Sequence, residues 1–268
     1  MRHPLRAPFV AALALTFALG GALASCGSGP TYSLDEALKP TSASLGTTFQ
    51  AIVGYDEQQT QVSGGVDASG EHARLKMDLG GGFLGGAPIE AVIDIPNAVI
   101  YMGADFFKVL GATIDTPWVK IDRAALEASG EDTAFFDQLK LDDPRDTTAL
   151  LRNATDVKDL GMATLEDEDP MRHYQVTVPS KDVIAKNPAL AQTIDAIEGT
   201  LPDDIVYDVY VTKSNAVRNI SFTLDLDVTT LTSEVWIDEL TKPVQIDLPG
   251  QDESIDITDV ESPSPTTP

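Results

Sequence analysis

The chain has 268 residues, of which 42 are Asp or Glu and 18 are Lys or Arg, giving a formal charge of −24, with one cysteine and three histidines. That balance excludes nucleic acid as a partner, because binding to a phosphate backbone is supplied by Lys and Arg. A lone cysteine excludes an intrachain disulfide and any zinc or haem site built on cysteine pairs.

Residues 1 to 25 carry Arg2 and Arg6 and no acid, then an apolar run from about Phe9 to Leu19, then small residues. Basic, apolar and small in that order is the signature of a secretory signal. The apolar run is shorter than the roughly 18 to 20 residues that span a bilayer, and Gly20 and Gly21 interrupt it. Leu23-Ala24-Ser25-Cys26 resembles the bacterial lipobox, which implies cleavage before Cys26 and acylation of its sulfur. Loss of residues 1 to 25 removes two basic residues and no acid, so the mature chain is two units more negative than the full one. Such a surface is repelled by anionic headgroups. An acyl anchor is therefore required to hold the protein at a membrane. One myristoyl-length chain gives an association constant of about 10⁴ M⁻¹, so stable anchoring takes two or three chains.

Residues 26 to 40 begin as a Gly/Ser/Pro tether. A helix is expected over Leu34 to Ile52. Residues 41 to 248 form the body, of a size for one domain. Its dominant signal is alternation, as a half-buried strand requires. "ARLKMDL" places Ala73, Leu75, Met77 and Leu79 on one face, and "IVYDVYV" places Ile205, Tyr207, Val209 and Val211. "ISFTLDLDV" does the same with Ile220, Phe222, Leu224, Leu226 and Val228. The last two runs flank "TKSNA", a hairpin turn around Ser214 and Asn215, and are expected as antiparallel neighbours. Further strands are expected in "QVSGGVD", "IEAVIDI", "AVIYMG", "PWVKID", "DVKDLGMATLED", "HYQVTV" and "VQIDL". A helix is expected to include Phe135, Phe136 and Leu139, with a short turn at Thr147 to Asn153. Another follows Asn187, where Pro188 takes the first helical position and Leu190, Ile194, Ile197 and Leu201 form a stripe. Residues 249 to 268 are acidic and proline-rich, and are expected to be largely disordered.

This order predicts an α+β fold, with helices laid against one face of a twisted antiparallel sheet. "VIYMGADFFKVLG" with "PWVKID", then "ATDVKDLGMATLEDEDPMRHYQVTV", then "LPDDIVYDVYVTKSNAVRNISFTLDL" resemble successive landmarks of the LppX and LprG lipoproteins of actinobacteria. The resemblance runs over most of residues 48 to 228. It implies a strongly curved antiparallel sheet, a half-barrel related in shape to the LolA and LolB carriers, with helices packed on its concave side. It also implies an apolar cavity that takes acyl chains of a lipid or glycolipid. The chain departs from that pattern in its turns, with "EDEDPM" before the His-Tyr strand and Thr212 after the "DVYV" strand.

Phe83 and Leu84, between glycine clusters in "LGGGFLGGAP", are candidates for a mobile lip touching lipid, the alternative being a long hairpin. Tyr101, Phe106, Phe107 and Trp118 are candidates to line a cavity, the alternative being core packing. The glycine run lacks the Gly-Lys-Ser/Thr end of a phosphate loop. His72 reads as solvent-facing. His173 lies on the strand face opposite Tyr174, Val176 and Val178, in a hydrogen-bonding role. No Gly-x-Ser-x-Gly elbow is present, the carboxylates at 142 to 143, 166 to 169, 225 and 227 read as solvated faces, and two separated histidines give no metal spacing.

The expectation is a non-enzymatic, extracytoplasmic lipoprotein of the cell envelope, anchored at the membrane through acylated Cys26, monomeric, needing no cofactor and no metal. It binds and carries a lipid or glycolipid, with an envelope transporter as a further partner. The alternative is a protein-docking module with a filled core.

Overall fold

The computed structural model describes residues 31–39, 45–55, 58–78, 88–129, 133, 150–165, 168–186, 200–227 and 229–260. Period-two alternation and β-branched content make strand the dominant regular structure of these residues. The first meander consists of β1 (Thr47–Tyr55), β2 (Gln58–Val66), β3 (His72–Asp78), β4 (Ile89–Asp94), β5 (Val99–Gly103) and β6 (Trp118–Asp122). The second consists of β7 (Asp156–Ala163), β8 (Met171–Pro179), β9 (Asp204–Val211), β10 (Val217–Asp225) and β11 (Thr230–Ile237). Four short helices punctuate the described residues: α1 (Leu34–Ala37), α2 (Ala104–Val109), α3 (Arg123–Ser129) and α4 (Ser180–Lys186).

Each meander pairs neighbour with neighbour, and the two join because the first strand of one lies antiparallel to the last strand of the other. Along that β1–β11 seam Phe49 opposes Ile237, Ala51 opposes Val235 and Val53 opposes Ser233. The short β12 (Ser254–Asp256) adds in parallel beside β6, completing a mostly antiparallel sheet of twelve strands with β12 and β7 at its edges. Registers carry one apolar set across the whole sheet. Val119, Met102, Ala91, Leu75 and Gly64 lie in one line that continues through Phe49 to Ile237. Gly64 is required there. A Cβ at this position would meet the carbonyl oxygen of Arg74 at 2.5 Å and the Phe49 ring at 3.1 Å, so the missing side chain is what lets the phenyl ring lie over the strand.

Several expectations are corrected. The helix expected from Leu34 to Ile52 is one turn only. Ser33 caps it by accepting from the Glu36 amide, and Pro40, disfavouring helix in the residue before it, stands just beyond. Residues 47 to 55 are strand because Thr47, Phe49, Ala51 and Val53 alternate into the core. "VQIDL" is not a strand; its Val244 amide donates to the Leu45 carbonyl and its carbonyl accepts from Ala68. The strand that does complete the second meander is "TLTSEVWI", whose apolar series is broken by Ser233. Part of the tail expected to be disordered is ordered: Ser254–Asp256 pairs with Trp118–Lys120, and Ile255, Ile257 and Val260 pack against the core. The two helices expected around Phe135 and after Asn187 lie outside the described residues, as does Val228. Residue Leu201 of that stripe is described and partly buried.

Candidate functional site

One face of the sheet is aliphatic. From β6 through β9 the side chains in register on it are uncharged, and most are buried. The opposite face carries the charged and polar partners, such as Lys76 beside Glu90 and Gln50 beside Ser63. Charge enters the aliphatic series at the β7–β8 edge, where Arg172 Nη2 lies 2.6 Å from Asp159 Oδ2. On the same edge strand, around a bulge after Asp159, Val157, Leu160 and Met162 are each about half exposed.

One register row of that face is different. It runs Val157, Val176, Tyr207, Phe222, Ser233, Val53, Thr60, crossing seven strands from the edge to β2. Tyr207 is 5% exposed and meets Phe222 edge to face at 5.3 Å. Burial alone raises the pKa of its phenol, with no hydrogen bond or charge contributing. Ser233 is 2% exposed, and its Oγ has no hydrogen-bond partner. By contrast Tyr174, one row away, donates its hydroxyl to the Tyr32 carbonyl at 2.8 Å.

At the strand ends, Tyr32, Glu168, Met171, Lys213, Arg218 and Glu239 are among the residues lining a groove of about 870 Å³. A β-bulge sets Arg218 out of the alternation of β10. Its guanidinium donates to Glu168 at 2.8 Å, Asp238 at 3.0 Å and the Ile237 carbonyl at 2.6 Å, and lies 5.5 Å from the Trp236 ring. Glu239 accepts from Thr212 and Ser214 at 2.6 and 2.7 Å. This network ties the β9–β10 hairpin to the end of β11.

Both described histidines are paired. His173 Nε2 lies 2.7 Å from Asp208 Oδ1 and the ring stacks on Tyr210, on the face opposite Tyr174, as expected. His72 corrects the solvent-facing reading: its Nδ1 lies 2.7 Å from Asp67 Oδ2 and the side chain is half-buried. Among the described residues no three of His, Cys, Asp or Glu are grouped to hold a metal ion.

Of the residues singled out in the sequence, Phe106 and Phe107 sit on α2, edge to face at 5.2 Å and partly packed against the core. Tyr101 and Trp118 do not join the aliphatic face. The register sets Tyr101 opposite Lys120, and Trp118 two residues along from Lys120 on the same strand, so both share the polar face. Strand parity explains this, since their neighbours Ile100, Met102 and Val119 take the apolar side. Phe83, Leu84 and Cys26 lie outside the described residues. Residue reasoning places Tyr207 on the apolar face without marking its hydroxyl, and it misses Ser233. The available signal for Ser233 is a hydroxyl at an inward position of an otherwise alternating run.

No family model and no curated protein sequence matches the chain. Among solved structures it is similar to the lipoprotein LppX of Mycobacterium tuberculosis, at 13% identity over 80% of this chain and 97% of that one, with a TM-score of 0.48. It is also similar to an uncharacterized conserved protein from Thermus thermophilus, at 12% identity over 83% of this chain and 96% of that one, with a TM-score of 0.36. Likenesses at this level identify no family.

Proposed function

We propose that the protein is a membrane-anchored extracytoplasmic lipoprotein that binds a lipid or glycolipid against the aliphatic face of its sheet and carries it, without performing chemistry. The observation that carries this reading is the uncharged aliphatic face, continuous in register from β6 to β9, on a chain otherwise dominated by carboxylates. An acyl chain on such a face contributes about 0.8 kcal/mol per buried methylene, so a lipid needs few polar contacts to be held. No helix among the described residues is long and apolar enough to cross a membrane. The attachment we assign is the acylated sulfur of Cys26, and an envelope transporter is the partner that would hand over or receive the cargo. Phe83 and Leu84 remain our candidates for the lip of the site, with Phe106 and Phe107 beside its core.

The test is native mass spectrometry of the full chain, purified in mild detergent from a bacterial host. Lipid adducts that detergent exchange does not strip support a carrier, and a Cys26→Ala variant recovered outside the membrane fraction supports the anchor. A clean apo mass together with no uptake of an apolar fluorescent probe overturns it. That outcome would favour the second reading, a docking module, for which the half-exposed Val157, Leu160 and Met162 on the edge strand β7 are the supporting observation.

A further inference from the structure

Charges on the polar side of the sheet are sorted between its two meanders. From that sorting we propose that the polar face of β8–β11 docks a basic, arginine-bearing segment of a partner protein around Tyr210, Asn219 and Trp236. The proposal goes beyond the carrier reading and does not depend on it. In the first meander the polar side carries Arg74, Lys76 and Lys120. On β8–β11 no registered position of that side holds a lysine or arginine, while Asp204, Asp208, Asp225 and Glu234 stand there. The acidity of the chain as a whole does not require such segregation. Two cations that border this face are already engaged, Lys158 by Asp156 at 3.7 Å and Arg218 by Glu168 and Asp238.

A second observation is independent of the acids. Tyr210, Asn219 and Trp236 are in direct register on β9, β10 and β11, which spaces the two aromatic residues about 10 Å apart with the smaller carboxamide between them. Asn219 is 1% exposed; its Nδ2 donates to Glu234 at 3.1 Å, which sets the carboxamide on the acidic side, and its Oδ1 has no partner. A buried acceptor left unmet calls for a donor. That oxygen is enclosed in the unbound chain, so docking includes a rotamer change in a flanking side chain, as is common at interfaces. Burial, then the fields of Asp208 and Glu234, raise the pKa of the Tyr210 phenol, so both carboxylates lie close enough to act on a charge placed there. A guanidinium answers all of these groups: it supplies several N–H donors in one plane, pairs with carboxylates and stacks on aromatic rings. The chain already holds one such group in Arg218, which lies 5.5 Å from the Trp236 ring and binds two carboxylates. A neutral glycan would use the rings and the carboxamide, but it gives no reason to clear cations from four adjacent strands.

The probe is fluorescein-labelled hexa-arginine, titrated with the full chain in mild detergent and read by fluorescence anisotropy, with hexa-glutamine as the neutral control. Asp208→Asn combined with Glu234→Gln keeps the shape of both side chains and is expected to weaken binding about five- to tenfold, the worth of two exposed ion pairs. Asp247→Asn combined with Asp259→Asn removes the same charge from exposed positions outside the face, and is expected to change binding less than about twofold. In the wild type, hexa-arginine is expected to bind about three- to fivefold tighter than hexa-lysine, because a guanidinium stacks on the rings as well as meeting the carboxylates. Equal losses in the two acid pairs, equal affinity for arginine and lysine, or no binding by the wild type overturns the proposal. Binding of the neutral sugar chitohexaose that the Asp208/Glu234 pair abolishes, with hexa-arginine unaffected, assigns the face to a glycan and overturns it too. None of these outcomes touches lipid uptake, so the carrier reading stands or falls by its own test.

Discussion

Replacing Ser233 by alanine tests the reasoning most sharply, because the expected sign is opposite to that of most core substitutions. Truncating a buried side chain usually costs stability. Here the atom removed is a buried hydroxyl oxygen with no partner, on a residue 2% exposed that lies between Val53 and Phe222 in the register. An unmet buried hydroxyl costs about 1–3 kcal/mol of desolvation. The space left by one oxygen is smaller than a methyl-sized void, which costs about 1 kcal/mol. The net expectation for the delipidated protein is therefore a gain of about 1 kcal/mol. In a chain of this size that is a rise of about 2–4 °C in Tm. The assay is urea and thermal unfolding of wild type and variant, with Ser63→Ala as control. Ser63 lies on the opposite face of β2, beside Gln50 and Lys76, and its replacement is expected to change stability by less than about 0.5 kcal/mol. A Ser233→Ala protein less stable than wild type by more than the control would refute the reasoning, since the hydroxyl would then be satisfied.

Two further expectations follow from the ion pairs. Arg218→Met removes donors to Glu168, Asp238 and the Ile237 carbonyl, leaving two carboxylates without the cation they share. A loss of about 1–2 kcal/mol is expected after allowance for partial solvent screening, with Arg218→Lys recovering less than half because an ammonium cannot span both carboxylates as the fork does. Denaturant midpoints of the three proteins measure it. At Asp67, burial opposes the charged form, but Ser69, the His72 side chain and the His72 and Glu71 backbone together outweigh it and hold the carboxyl below its ordinary range. A carboxyl depressed in the folded state contributes stability that is fully present above the unfolded value of about 3.9 and is lost as pH falls through the folded value. Asp67→Asn is expected to flatten the stability profile below about pH 4 and to leave its shape above that range unchanged, as read from unfolding curves across pH 2–6.

Much of the architecture is legible locally. The alternation in "ARLKMDL", "IVYDVYV" and "ISFTLDLDV" assigns strands, faces and one hairpin, because side-chain direction in a strand depends only on parity. The same rule, applied to Tyr101 and Trp118, puts both on the polar face. Their aromatic character argues for a cavity lining, and parity overrides it. Residues 47 to 52 pass for helix because a short apolar run does not declare its period until its partners are known.

Local chain chemistry thus sets where most strands fall, which face of each is aliphatic, and that the chain is strongly acidic with a single cysteine. Assembly alone settles that β1 and β11 form the seam, that Arg218 gathers Glu168 and Asp238, and that Tyr207 and Ser233 share one buried row. Parity is a property of neighbouring residues. Partner choice, burial and hydrogen-bond satisfaction depend on groups up to about 190 positions apart, as with Thr48 and Asp238 at 2.7 Å, and take their values only once the sheet is complete.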